Sequence, residues 1–385
     1  MNIASHRLRL RSCLAALAVG LAVSMAAGAD SELRGELSSW FGIADGAEPE
    51  TRLGLRYIPE CSGSQALSGG IGLDVRLALN AYWQGSGGTF EDAAGTADLD
   101  AYRAWVRVAG AQWELRGGLQ KINFGTAALI RPLMWFDRID PRDPLAVTDG
   151  VYGLLGRRYF LSNANLWVWA LYGNDEAKGW ESLPTAAGTL EAGGRVQVPV
   201  GPGEFALTYH HRRADPTQST DSGLAAEGAT DEHRYGADGK WDLGAAVWFE
   251  GMLVEQQFED FPLRYRRMVA LGADYTFGVG NGLHALCEHA VADRAEHALG
   301  SGEGTSFSAG SLDYPFGLLD RLTGMVYYDW EADEWYQFVD WQRTYDQWRL
   351  HFMAFVNPES GPLDQASGTG ALAGRGVQVL VVLNH

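Results

Sequence analysis

Cysteine is almost missing from the 385 residues: there are three, at positions 13, 61 and 287. So few exclude a disulfide scaffold, and the lack of a Cys-x-x-Cys-His run excludes covalently attached haem. Basic side chains are also scarce, 30 against 48 acidic ones, for a net charge of −18. Proteins that grip DNA or RNA cluster Lys and Arg against phosphates, so nucleic acid is excluded as a partner. No apolar run after residue 30 is long enough for a transmembrane helix. No Gly-x-Ser-x-Gly elbow, carboxylate–His zinc spacing or calcium loop occurs, so the sequence assigns no catalytic residue, metal or cofactor. What the chain has in plenty is glycine (49) and aromatic rings (14 Trp, 15 Tyr and 15 Phe).

The first thirty residues read as an export signal. Arg7, Arg9 and Arg11 precede an uncharged stretch rich in Ala, Leu, Val and Met, which closes on Ala27-Gly28-Ala29 before Asp30. A basic start, an apolar middle and small residues at the cut define a secretory signal peptide over residues 1–29, leaving 30–385 as a single domain. Cys13 precedes the apolar run, so it is not a lipid-attachment cysteine. The remaining chain holds 27 basic and 48 acidic side chains. Cys61 falls in a turn by this reading and Cys287 in a strand, and the two are isolated small residues rather than a pair.

Period-two alternation recurs from residue 30 onward, the mark of strands with one polar and one apolar face. Leu73, Val75, Leu77 and Leu79 oppose Asp74, Arg76 and Asn80; Phe205, Leu207 and Tyr209 oppose Glu204, Thr208 and His210. About eighteen such strands can be counted. Tiny connections at Gly110-Ala111, Leu161-Ser162-Asn163, Gly201-Pro202, 278–281 and Thr344-Tyr345 alternate with long ones at 84–97, 124–149, 173–189, 213–232, 291–303 and 357–373. Alternating connection lengths and an even strand count describe an all-β fold: a transmembrane antiparallel β-barrel with short periplasmic turns and long extracellular loops. Outer-membrane lipid and lipopolysaccharide are then its surroundings. Trp40, Phe41, Tyr82, Trp83, Tyr159, Phe160, Tyr172, Trp241, Tyr275, Tyr328, Trp330 and Trp335 fall at strand ends, where interfacial girdles belong. The chain finishes Val382-Leu383-Asn384-His385, without the terminal Phe or Tyr common in such barrels.

If the apolar faces meet lipid, the opposite positions line the lumen. That face carries 15 basic and 11 acidic side chains, so the negative charge belongs to loops and turns. Arg76, Arg103, Arg107, Arg116, Arg264, Arg266 and Arg349, with Gln120, mark the path of a solute. Guanidinium groups hold carboxylates and phosphates and never deprotonate, so such a wall attracts anions. The alternative is that these arginines pair with lumenal Glu and Asp and simply fill the interior.

Residues 118–149 form the most distinctive stretch. Gly118-Leu119-Gln120-Lys121-Ile122-Asn123-Phe124-Gly125 leads into Arg131-Pro132-Leu133-Met134-Trp135-Phe136-Asp137-Arg138 and Asp140-Pro141-Arg142-Asp143-Pro144-Leu145. Solvent loops are rarely so apolar. Folding inward would set Arg131, Arg138, Asp140, Arg142 and Asp143 at a constriction; folding over the rim, held by its own Arg–Asp pairs, is the other possibility. A Gly-x-Gln-x-Ile-x-Phe-Gly strand followed by Asp-Pro-x-Asp-Pro resembles the porin-like outer-membrane barrels of Gram-negative bacteria. Among them it is similar to the alginate-export type, eighteen-stranded and lined with Arg. The resemblance implies passive passage of a solute across the outer membrane. The unusual C-terminus departs from that pattern.

The sequence therefore points to an outer-membrane diffusion channel for small or polymeric anionic solutes, not to an enzyme. Two other readings stay open: a non-conducting barrel that serves as scaffold, sheath or adhesin, and a barrel with a hydrolase site at its rim.

Overall fold

In a computed structural model, residues 30–45, 50–87, 94–218, 228–257, 263–358 and 372–385 are described; the signal peptide expected over 1–29 lies outside them. The period-two segments become eighteen antiparallel strands. The first six are β1 (Asp30–Asp45), β2 (Glu50–Ala66), β3 (Gly72–Gly87), β4 (Ala94–Gly110), β5 (Trp113–Gln120) and β6 (Val151–Tyr159). Next come β7 (Asn165–Tyr172), β8 (Leu190–Val200), β9 (Gly203–Ala214), β10 (Thr230–Asp242), β11 (Ala246–Gln256) and β12 (Tyr265–Phe277). The last six are β13 (Leu283–Ala295), β14 (Gly302–Phe316), β15 (Asp320–Asp329), β16 (Glu334–Thr344), β17 (Trp348–Val356) and β18 (Arg375–Asn384). The described residues include no helix beyond two three-residue 3-10 turns, Ser68–Gly70 and Pro216–Gln218.

Each strand pairs with its sequence neighbours, and β1 pairs with β18 from Glu36↔Asn384 to Asp45↔Arg375. The sheet therefore closes on itself, which leaves no outer strand and satisfies the ladder without water. His385 extends the seam: the Gly35 N–H donates to its carbonyl at 2.8 Å, and the Gly35 carbonyl accepts its N–H at 3.0 Å. With eighteen strands both ends emerge beside the short turns, of which 111–112 and 201–202 have two residues. The opposite end carries the long segments 121–150 and 173–189.

Side chains sort as the alternation requires. Leu55, Leu79, Val168, Leu207, Leu271, Val291, Leu312 and Val377 are exposed on the outer face, the apolar belt of a barrel. Trp83, Phe160, Tyr172, Tyr275, Trp330 and Trp335 also point out, whereas Tyr159 shares the lumenal parity of Leu155 and Arg157. Trp40 and Tyr82 do not belong to that girdle. Both have lumenal parity, their rings stack at 5.7 Å, and the indole lies over Gly54, where a Cβ would collide with it. Strand-end position places an aromatic at girdle height, but parity decides which face it takes.

Several boundaries differ from the sequence reading. The 84–97 and 291–303 connections shorten to 88–93 and 296–301, because β3, β4, β13 and β14 run on past the last apolar alternation. Cys61 lies within β2 rather than in a turn, and both it and Cys287 are free and exposed. The strand expected over 112–123 stops at Gln120, where the chain leaves the wall.

Candidate functional site

The departure after β5 is built locally. Gln120 spends its amide on the carbonyls of Arg116 (3.2 Å) and Gly153 (3.1 Å), and Gly125 then adopts φ +100°. Only glycine takes that conformation freely, and a side chain there would meet the Glu250 carboxylate. A segment with no ladder partner must satisfy its buried amides elsewhere. Two lumenal carboxylates do this. Glu250 on β11 accepts the N–H groups of Thr126 (2.7 Å), Ala127 (2.9 Å) and Leu133 (2.6 Å). Glu288 on β13 accepts those of Ala128 (2.6 Å), Leu129 (2.9 Å) and Ile130 (2.6 Å), together with the Trp248 indole N–H (3.0 Å).

The apolar residues of this loop explain why it goes in. Ile122, Leu129, Ile130, Leu133, Trp135 and Phe136 are buried in one cluster with inward residues of β6, β7 and β11 to β16, among them Leu155, Trp169, Met252, Met268, Phe307 and Tyr327. Each such side chain contributes roughly 1.5–3 kcal/mol when removed from water. The loop thus lies inside the barrel against that half of the wall. Gly125→Ala should loosen it; the expected result is faster protease cleavage within 126–149 while the heat-resistant barrel band on a gel stays intact.

The polar residues expected at a constriction are mostly tied up within the loop. Arg142 is buried and binds Asp140 through Nε (2.9 Å) and Nη2 (2.8 Å), with Tyr336 5.9 Å from its guanidinium. Arg131 bonds Asn123, and Arg138 bonds the Ala177 carbonyl. Asp143 receives the Leu145 amide at 2.9 Å. Burial pushes the Asp137 and Asp143 carboxyls above the ordinary range; Asp137 still accepts the amides of Arg138 (2.9 Å) and Asp149 (2.8 Å).

A second inward loop, 173–189, was read from sequence only as a long polar connection. Trp180 Nε1 donates to the Arg131 carbonyl at 3.0 Å, and Arg266 reaches the Trp180 carbonyl. Glu181 bridges Arg212 (3.1 Å) and Arg234 (2.5 Å), both of which also bind Glu232 (2.6 Å each). All four side chains are buried. Trp180 and Leu183 in an otherwise polar stretch were the available signal. Glu232→Ala leaves two buried guanidiniums to share Glu181 alone and should cost about 3 kcal/mol; the check is a lower urea midpoint for loss of the folded band.

The remaining lumenal wall, β2 to β6, carries a different arrangement near the short-turn end. Arg107 pairs with Asp74 (2.9 Å) and Glu114 (3.4 Å), while Arg116 (3.4 Å) and Arg157 (3.0 Å) share Glu114. Arg76 meets Glu60 at 3.2 Å. Indole rings back these groups: Trp105 lies 4.7 Å from the Arg116 guanidinium and 5.7 Å from that of Arg76, and Trp167 lies 3.8 Å from that of Arg157. Here four arginines face three carboxylates, and Arg76 and Arg107 keep substantial exposure. Arg157 and the two indoles were not singled out from sequence.

The other expected wall residues scatter. Arg103 is buried against the loop base, donating to the Thr148 carbonyl at 3.1 Å. Arg349 pairs with Glu36 at 3.1 Å across the seam. Arg264 stands exposed just before β12, outside the wall, because that strand begins one residue later.

No family model matches the sequence, and no curated protein matches it. Solved structures do match its fold. OccAB1 of Acinetobacter baumannii superposes with a TM-score of 0.58 at 10% identity, over 92% of this chain and 96% of that one. OccK7 (OpdD) of Pseudomonas aeruginosa gives 0.54 at 12% identity, over 92% and 99%. The Escherichia coli outer-membrane protein Wzi, described as a carbohydrate-binding β-barrel involved in capsule assembly, gives 0.52 at 13%, over 96% and 87%. The eighteen-stranded barrel therefore shares the fold of porin-like outer-membrane barrels.

Proposed function

We propose that this porin-like barrel sits in the bacterial outer membrane and passes polar, anionic solutes by passive diffusion. The observation that carries the reading is the asymmetry of the lumen. One side is filled by the two inward loops, and the other presents Arg76, Arg107, Arg116 and Arg157 to solvent-accessible space, with fewer carboxylates than guanidiniums. An anion drawn to this wall finds planar donors held flat against indole faces, so binding asks little further ordering of the side chains. Exposed neighbours along the wall let it move on. The 126–149 loop sets the width of the passage, and its own arginines brace it.

The test is single-channel current in a planar bilayer under a KCl gradient. Steady conductance with a reversal potential favouring chloride supports the reading, and acidic sugars that block the current would give the solute class. A folded barrel that never conducts overturns it. That outcome would favour a scaffold or sheath, which the filling of the β6–β16 half by two loops would also suit.

A further inference from the structure

We infer that His211 and His233 form a two-point metal site on the outer face of the barrel, at the height of the lipid headgroups, for a divalent cation of the zinc, nickel or copper class. The two residues are direct cross-strand partners, one on β9 and one on β10. Both face the lipid side, since their neighbours Arg212 and Arg234 are buried on the lumenal side. Height follows from the residues next to them on that outer face. Exposed Tyr209 and Tyr235 lie one step toward the apolar belt, and Arg213 and Asp231 lie one step beyond, at the long-loop end.

Ring geometry carries the inference. The two imidazole centroids are 4.9 Å apart, with their planes at 44°. A metal ion bound to an imidazole nitrogen sits about 2.0–2.1 Å from it, hence about 3.2 Å from the ring centre. Two rings on one ion are then about 4.5 Å apart at an octahedral angle and about 5.2 Å at a tetrahedral one. The observed separation falls between these values, so side-chain rotation alone brings both rings onto one ion. Each ring is also held through one nitrogen, as metal-binding imidazoles are. The Tyr209 hydroxyl lies 2.9 Å from Nδ1 of His233, and an Asp231 oxygen lies 3.4 Å from Nε2 of His211. That leaves Nε2 of His233 and Nδ1 of His211 for the ion.

Donor type selects the ion. Among the described residues no three His, Cys, Asp or Glu side chains are arranged around one metal. Two imidazoles are therefore the protein's share, and the other positions open to water and headgroup oxygens. Nitrogen donors favour zinc, copper and nickel over magnesium and calcium, which take oxygen shells. Local charge helps: Asp231 and Glu255, the latter opposite His233 on β11, stand against Arg213 alone. The inference is independent of conduction.

The experiment uses the whole chain without a histidine tag, folded in detergent and titrated with nickel ion in a calorimeter. One ion per barrel is expected. His211→Gln and His233→Gln should each weaken binding about a hundredfold, because the second imidazole of a chelating pair acts at high effective concentration. His289→Gln, at an outward histidine held by Ser308, should leave binding unchanged. Copper ion gives a second readout that misfolding cannot mimic: its paramagnetic resonance should show two coordinated nitrogens in the unaltered chain and one in each single variant. The heat-resistant barrel band confirms that each variant is folded. Binding that survives either substitution at His211 or His233, a copper spectrum without two nitrogens in the unaltered chain, or displacement of nickel by equimolar magnesium would each overturn the proposal.

Discussion

Replacing Glu250 and Glu288 together by alanine should widen the passage and raise single-channel conductance severalfold. Six amides of the inward loop end on these two carboxylates. A hydrogen bond to a charged group is worth about 1.5–3 kcal/mol, and a buried amide left without a partner adds its desolvation penalty. Losing all six removes about as much as the apolar contacts of the loop contribute, and those residues can bury against one another without keeping their place on the wall. The barrel itself should survive, because both substitutions leave the β11 and β13 ladders untouched. Conductance unchanged in the double variant, with protease resistance of 126–149 also unchanged, would show that apolar packing alone fixes the loop. Deleting residues 128–146 then provides the open reference level.

Changing Arg107, Arg116 and Arg157 to glutamine should turn the preferred ion from anion to cation. These side chains share Glu114 and Asp74, so the substitutions remove three positive charges and leave both carboxylates in place. Glutamine keeps hydrogen-bonding capacity beside Glu114, which is itself buried and would otherwise be stranded. The measurement is the reversal potential under a tenfold KCl gradient, whose sign should invert. A reversal potential that stays on the chloride side would show that selectivity is set elsewhere, as by Lys240, Arg321 or the loop ends. Salt matters to this test: at high ionic strength the effect of exposed charges shrinks, so the inversion should be largest in dilute KCl.

The relation between these residues and the sequence is uneven. Arg107 and Arg116 were visible because alternation assigns a face to each position, and the face is a local property. Arg157 follows the same rule, on the parity of Leu155 in β6. Arg103 has the right parity and still does not face the passage: Tyr102 is an extra residue on β4, a bulge opposite Ala78 and Leu79, and Arg103 beside it turns to Thr148. Arg264 was assigned to a strand that begins one residue later. Trp40 and Tyr82 show the converse, since height along a strand is readable from sequence while the space over Gly54 that admits an indole comes from a neighbouring strand.

By itself the sequence determined the all-β class, the eighteen strands, the side of the short turns and the inner and outer faces, because period-two patterning and turn chemistry act over a few residues. It also marked 118–149 as unusual, through apolar residues where a loop should have none. Only the tertiary structure decided that this loop enters the barrel and what holds it there. Glu250 and Glu288 lie 117 to 160 residues from the amides they accept, and nothing local announces the meeting. The same holds for Glu181 with Arg212 and Arg234. Closing eighteen strands into a ring brings distant inward side chains within reach of one another, and the chemistry of the lumen comes from that closure.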